Sequence, residues 1–367
     1  MRIGIDCRMY GPSHGYMGKY MENFVSYLLE NEDANQYVLF FNDWDFGESI
    51  LKSPRFHVVK TSAKIGSIAE QTLFPYELYK EKLDSVLFSH PSIPLFYFGK
   101  STIILSDLIS YFYPEKRMKW VWMRYWKNLI LRKSVRKSCS IIVFSEVLKR
   151  DVIEIFDTPE EKIQIIPPMY REMESGEENE VKQFLMKEGV GEKYILSVWD
   201  LREYKNIPRL LQAYSLLLKE DMADVDLVLV GKEDPTYHEI RSILIQLWLQ
   251  SRVHIYNVLE EEKVGFLYQN ASLYVLPSLY EGSELPILAP LAYNLPIASS
   301  LLPSITALFG KENALFFRPM SIPEMKESLK KVLSTPPFRQ DKKDMSLYSI
   351  ASVSEKILNT LLASKKI

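Results

Sequence analysis

The sequence predicts an α/β protein built from two doubly wound domains. Three observations carry this. At 367 residues the chain is longer than one hydrophobic core serves well, and two units of roughly 150–200 residues are the natural division. Short runs of Val, Ile, Leu and Phe recur through both halves, several nearly continuous, as strands covered on both faces of a parallel sheet are. Helical patterns lie between them, and that alternation winds a parallel sheet.

In the first half the strand-type runs are Arg2–Asp6, Tyr37–Asn42, His57–Lys60, Ser85–His90, Thr102–Ser106, Ser140–Ser145 and Ile163–Pro167. The first helix is expected over Gly18–Glu30, where Met17, Met21, Phe24, Val25, Leu28 and Leu29 share a face. Between Arg171 and Glu180 an acidic piece around Ser175-Gly176 reads as a linker. A second strand set follows at Tyr194–Val198, Asp226–Gly231, Val253–Tyr256, Leu273–Leu276, Leu295–Ser299 and Ala314–Arg318. Helices near Pro208–Lys219, His238–Leu249 and Glu261–Gln269 alternate with it, and Ser346–Ile367 reads as one amphipathic helix. The expected division is 1–170, 171–345 and a terminal helix over 346–367.

Composition excludes several classes. A net charge of −2 gives no footprint for nucleic acid. Cys7 and Cys139 are the only cysteines, which suits a reducing compartment and no disulfide framework. The opening Met1–Asp6 runs straight into a strand without a signal-peptide layout, and no run has the 18 or so apolar residues of a membrane span. A soluble, cytoplasmic protein is expected, with no metal and no resident cofactor.

One stretch concentrates the chemistry, Leu276 to Pro296, LPSLYEGSELPILAPLAYNLP. A strand ends, a Gly-containing loop follows, and Pro286 sits near the first turn of a helix over Ile287–Tyr293. Such a junction offers free backbone N–H groups and a positive helix end to a phosphate. Elsewhere, Lys116 to Lys137 carries nine basic residues and no acid, with Trp120, Trp122, Tyr125 and Trp126 interleaved. Met118, Trp122, Trp126 and Ile130 recur every four residues. A basic, Trp-rich helix suits an anionic membrane surface, with Trp120, Trp122, Trp126, Arg124 and Lys127 as contacts. The alternative is an ordinary helix packed on the first sheet.

The Leu276–Pro296 loop resembles the donor-site loop of the family 4 nucleotide-sugar glycosyltransferases, roughly PSxxEGFGLPxxEA. The opening MRIGIDCRMYGPSHGYMGKYMENF, the SEVLKRDVIEIFDTPEEKIQIIPP stretch, Leu227–Lys232 and Gly310…Pro319 are similar to that family in order and spacing. The resemblance implies the GT-B fold, two Rossmann-like domains facing a cleft, with the terminal helix crossing back to the first. It also implies retaining hexosyl transfer from a nucleotide sugar, bound as substrate, to a glycan or lipid-linked acceptor. The first domain would take the acceptor and the second the donor.

By the same resemblance Gly18, Lys19, Lys205, Glu281, Gly282, Ser283 and Glu284 are the donor-binding positions. Lys205 suits the departing phosphates as a point charge; otherwise it is a solvated lysine before a helix. The family's second loop glutamate is Ala289 here, which offers no acceptor for a ribose hydroxyl. Its second glycine is Glu284, whose carboxylate would lie at a helix N-terminus and cap it. Asp200 stands where the family often has Arg or Asn, and Ala307 where it often has Glu. At the family's His-Asp position the chain reads Ser106-Asp107, a strand-end turn or a remnant of the catalytic pair; His14 and His90 are the substitutes to weigh. Two readings follow: a transferase with weakened or absent activity, and a non-catalytic subunit that binds or assists a partner transferase. A nicotinamide-dependent oxidoreductase fits poorly, since no G-x-G-x-x-G follows the first strand.

Overall fold

The computed structural model describes residues 1–42, 46–114, 121–173, 178–220, 224–232, 238–257, 259–309, 314–334 and 344–363. The chain divides into two compact units. Unit 1 comprises 1–114, 118–169 and 346–367; unit 2 holds 170–345 with 115–117.

Unit 1 contains seven strands among the described residues: β1 (Arg2–Asp6), β2 (Gln36–Phe41), β3 (Phe56–Lys60), β4 (Ser85–Phe88), β5 (Ser101–Leu105), β6 (Ser140–Val143) and β7 (Ile163–Ile165). All pair in parallel, in the order β3-β2-β1-β4-β5-β6-β7. Its crossovers carry α1 (Gly15–Glu30), α2 (Glu48–Lys52), α3 (Ile68–Lys80), α4 (Ile109–Phe112), α5 (Val121–Lys137) and α6 (Glu146–Phe156). Because strand side chains alternate in direction, each strand feeds two cores. Ile3, Ile5, Leu39, Leu87 and Ile104 pack under α1; Val38, Phe40, Val86, Phe88 and Ile103 pack under α3, α5 and α6.

Unit 2 repeats the plan with α7 (Glu178–Lys187), β8 (Lys193–Val198), α8 (Ile207–Leu218), β9 (Val225–Val230), α9 (Glu239–Gln246), β10 (Val253–Tyr256), α10 (Glu261–Asn270) and β11 (Leu273–Leu276). It continues through α11 (Leu285–Ala292), β12 (Ile297–Ser300), α12 (Pro303–Phe309), β13 (Leu315–Phe317) and α13 (Ile322–Ser334). The six parallel strands run β10-β9-β8-β11-β12-β13. One face is covered by α8, α9 and α13, the other by α7, α10, α11 and α12. This is the doubly wound fold expected from the sequence, twice over.

Two local expectations change. The acidic piece taken as linker to Glu180 ends earlier, because α7 begins at Glu178; acidic residues are favoured at a helix start. The Ser346–Ile367 helix is shorter: a single turn spans Ser346–Tyr348 and α14 (Ile350–Ala363) follows. The Ser349 hydroxyl accepts from the Ser352 N–H and caps the helix there. Residues 364–367, with Lys365-Lys366, lie outside the described residues. Val353, Ile357 and Leu361 of α14 are fully buried in the core shared with α1, so this helix belongs to unit 1.

Gly18 has a structural task. It is buried in the first turns of α1, and a Cβ there would fall on the carbonyl oxygen of Gly11 in the loop after β1. Gly18→Ala should destabilise unit 1 by about 1–3 kcal/mol, read as a lowered thermal midpoint; an unchanged midpoint would mean that the loop yields freely.

Candidate active site at the carboxyl ends of the strands

Both sheets reverse their winding direction once, between β1 and β4 in unit 1 and between β8 and β11 in unit 2. Open α/β sheets bind ligands outside the carboxyl ends of the strands at such points, where adjacent loops diverge. The predicted donor-loop residues of unit 2 follow β8 and β11, and His14, Gly18, Lys19 and His90 follow β1 and β4, whereas Ser106-Asp107 follow β5, outside the switch point.

In unit 2, β8 and β11 feed the loops 199–206 and 277–284. Lys205 Nζ donates to Glu281 Oε1 at 2.5 Å, and both side chains are about 5% exposed. Lys205 is therefore not the solvated lysine that the sequence also allowed. Its ammonium lies 4.8 Å from the Trp199 ring and 5.0 Å from that of Tyr204, two electron-rich faces that favour a cation. Trp199 Nε1 donates to the Tyr274 hydroxyl at 2.9 Å, which fixes the indole.

Asn206 locks the two loops together. Its backbone is left-handed (φ 58°), a conformation that Asn tolerates. Its buried amide donates to the carbonyls of Pro277 (2.9 Å) and Pro319 (2.7 Å), while its oxygen accepts from Arg209. The Leu279 N–H adds a bond to the Tyr204 carbonyl, and Ser304 Oγ donates to the Glu281 carbonyl. Asn206, Trp199 and Ser304 were not singled out from sequence. An Asn before Ile207-Pro208 at a helix start was the available signal for the first.

Gly282 and Ser283 are buried beside this pair. Glu284 occupies the N-cap of α11 but makes no side-chain capping bond, contrary to expectation; Ser283 Oγ instead accepts from the Leu285 N–H at 3.4 Å. The reason is local: Glu284 has helical dihedrals, φ −75° and ψ −2°, whereas a capping side chain works from an extended backbone. Ala289 is half-buried within α11. Asp200 is exposed and turned to Arg202, 3.7 Å away, and Ala307 is exposed on α12.

In unit 1, β1 ends in a buried ion cluster that the sequence did not announce. Arg8 bonds both carboxylate oxygens of Asp6 at 2.8 Å and Glu70 Oε1 at 3.0 Å, and stacks 4.0 Å above Phe74. Burial raises the Glu70 pKa against the pull of Arg8. Beside it, two residues past β4, is His90. Its ring keeps some surface outside, yet Nδ1 is enclosed with no hydrogen-bond partner among the described residues. Burial, with repulsion from Arg8 and Lys127, outweighs the attraction of Asp6 and lowers the His90 pKa to about 4. The imidazole is neutral at physiological pH.

His14 is exposed, with Ser13 Oγ 3.1 Å from its Nδ1, and Lys19 is exposed on α1. Asp107 accepts from Ser106 Oγ at 3.1 Å and from the Ile109 N–H at 2.9 Å. That is the geometry of a strand-end turn, with both carboxylate oxygens engaged. Along α5, Arg124, Tyr125, Trp126 and Lys127 are exposed, while Ile130 and Val135 enter the core. Trp120 lies outside the described residues, as do Lys116, Arg117, Met118, Lys119 and the Trp122 side chain.

Removing one partner of a buried ion pair leaves an uncompensated charge. Lys205→Ala should lower the stability of unit 2 by about 3–5 kcal/mol, and Lys205→Met with Glu281→Leu should recover most of it; calorimetric unfolding reads both. For His90 the folded-state pKa lies below the ordinary 6.5 or so, and the unfolded chain takes the proton first. Stability is therefore full above that ordinary value and lost as pH falls towards 4. His90→Gln should lose less stability than the parent between pH 7 and pH 5; equal losses in urea titrations would contradict the neutral assignment.

Comparison with known proteins agrees with this fold. The sequence pattern of the family described as "Glycosyl transferases group 1" matches residues 179–347. An uncharacterized glycosyltransferase, MJ1607 of Methanocaldococcus jannaschii, is 27% identical over 62% of this chain, and the match spans 60% of that protein's length. The O-antigen chain mannosyltransferase RfbU of Salmonella typhimurium is 21% identical over 89% of each chain. Among solved structures, WaaG, a glycosyltransferase involved in lipopolysaccharide biosynthesis, superposes with a TM-score of 0.70 at 15% identity, covering 99% of this chain and 98% of its own. Anabaena HepE in complex with UDP-glucose gives 0.73 at 12%, covering 99% and 100%. The fold of the whole chain is GT-B, and its 179–347 segment is similar to the group 1 glycosyl transferases.

Proposed function

We propose that this protein transfers a hexose from a nucleotide sugar to a glycan or lipid-linked acceptor, with unit 2 holding the donor and unit 1 the acceptor. The observation that carries the reading is the Lys205–Glu281 pair at the β8/β11 switch point. An ammonium held there among aromatic faces is a ready counter-charge for a diphosphate leaving group. Glu281 balances that charge while the site is empty, so a buried cation persists without a ligand. Several relatives are mannosyltransferases, among them RfbU and WbdA, which makes mannose the first sugar to test.

Weak donor binding and slow turnover follow from the same loop. Ala289 supplies no carboxylate to a ribose, and Glu284 adds a negative charge near the α11 N-terminus, where a phosphate would otherwise be favoured. Ser106 offers no imidazole, and neutral His90, at the β1/β4 switch point, is the substitute this reading takes for a hydrogen bond to the sugar. Those replacements favour a second reading, a non-catalytic subunit that assists a partner transferase. The exposed Arg124, Trp126 and Lys127 of α5 support attachment of the protein to an anionic membrane surface. No helix among the described residues is long and apolar enough to cross a membrane.

Calorimetry with UDP, GDP, UDP-glucose and GDP-mannose separates the readings. Micromolar binding of any one, followed by sugar release or transfer, supports the enzyme; binding of none leaves the subunit. Ala289→Glu with Glu284→Gly should raise nucleotide affinity about tenfold or more, since each change contributes on the order of 1–3 kcal/mol through a charged hydrogen bond. Strong turnover in the parent with no gain in the variant would contradict a weakened donor loop.

A further inference from the structure

The apolar surface of unit 1 is distributed unevenly. Of eleven exposed large hydrophobic residues described in this unit, nine belong to α3, α4, α5 or the segment between β4 and β5. All of these lie in the layer opposite α1 and α14. Ile68 is 84% exposed, Phe98 77% and Phe96 62%. Scattered apolar residues on a surface need no explanation, but a concentration on one face does.

The two phenylalanines are held in place from both sides. On the α3 side, Tyr79 Oη accepts from the Phe98 N–H at 2.7 Å and donates to the Phe96 carbonyl at 3.4 Å. On the α5 side, Lys137 Nζ donates to the carbonyls of Leu95 (2.8 Å) and Pro94 (3.3 Å), and stands 4.3 Å from the centre of the Phe98 ring. Tyr97 between them turns inward, 2% exposed, with its ring 5.2 Å from that of Tyr79 and 6.0 Å from Phe88. Alternation of an inward Tyr and two outward Phe, fixed by side chains of two helices, is a built display of aromatic surface.

We infer that residues 94–98, with the outward faces of α3 and α5, form one membrane-docking surface in which Phe96 and Phe98 insert below the headgroups of an anionic lipid layer. The charge on the page selects lipid over protein. From Val121 to Lys137 the helix carries six basic residues and no acid, and Lys137 lies at the base of the aromatic display. Basic residues around apolar anchors match a negatively charged bilayer surface. Trp126 and Lys137 are eleven residues apart on the helix, so the contact runs about 16 Å along it. This inference rests on the membrane-attached reading above and adds a second, independent element to it: α5 supplies charge, and the loop beside it supplies depth.

Sedimentation with phosphatidylcholine vesicles containing phosphatidylglycerol tests it. The parent should bind these and not pure phosphatidylcholine, and Phe96→Ser with Phe98→Ser should reduce binding on the order of tenfold or more with an unchanged thermal midpoint. Phe98→Trp should add emission that brominated acyl chains quench. If the serine variant binds as well as the parent while Arg124→Glu with Lys127→Glu does not, α5 alone makes the contact; the inference fails and the membrane reading stands. If the parent ignores anionic vesicles, both fail. A concentration-dependent dimer lost in the serine variant would assign the face to a second copy and overturn the proposal.

Discussion

A parallel strand can be followed by its neighbour only after the chain has crossed the sheet, and that constraint organises this molecule. Both faces of each sheet are spent on crossover helices, so side chains such as Ile5 and Phe40 are buried on opposite sides of neighbouring strands. Chemistry is left to the strand ends. Where winding reverses, two loops part and leave room, and there the polar groups that could not be buried elsewhere are found. In unit 2 these are Lys205 and Glu281; in unit 1 they are Asp6, Arg8, Glu70 and His90.

The two constellations solve one problem differently. A charge taken from water needs a partner with good geometry, or its burial is costly. Arg8 is saturated by two carboxylates, the Ala63 carbonyl and a phenyl face. It fastens β1 to the start of α3. Lys205 has one carboxylate and two aromatic faces, and the function proposed above has a donor phosphate take the place of that carboxylate.

Much of the fold was legible in the sequence, because strands such as Val225–Val230 and Ser140–Val143 are mostly Val, Ile and Leu in runs typical of a sheet covered on both faces. Helix α3 was not, since Pro75 interrupts its pattern and Ser67, whose hydroxyl caps it, resembles any loop serine. The loop around Glu281 was legible as a strand-to-helix turn from its glycine and proline. The burial of Lys205 was not, because its partner stands 76 positions away and nothing local marks the pair. Glu284 shows the opposite limit: its place at a helix start was evident, but whether its side chain caps depends on a backbone angle that composition does not encode. The outward Phe96 and Phe98 lie in no periodic element, so no helical or strand pattern could report which way they face.

Helix α14 completes unit 1 although unit 2 separates it from the rest of that unit in sequence. Unit 2 is thus an insertion within unit 1, and the order of synthesis opposes the usual order of folding, in which the amino-terminal domain closes first. Val353, Ile357 and Leu361 leave the ribosome only after every strand of unit 2 has emerged. Until then Ile3, Phe24 and their neighbours lack part of their cover. The nascent chain carries an open hydrophobic groove for the whole interval, which makes unit 1, begun first, the unit whose core is completed last.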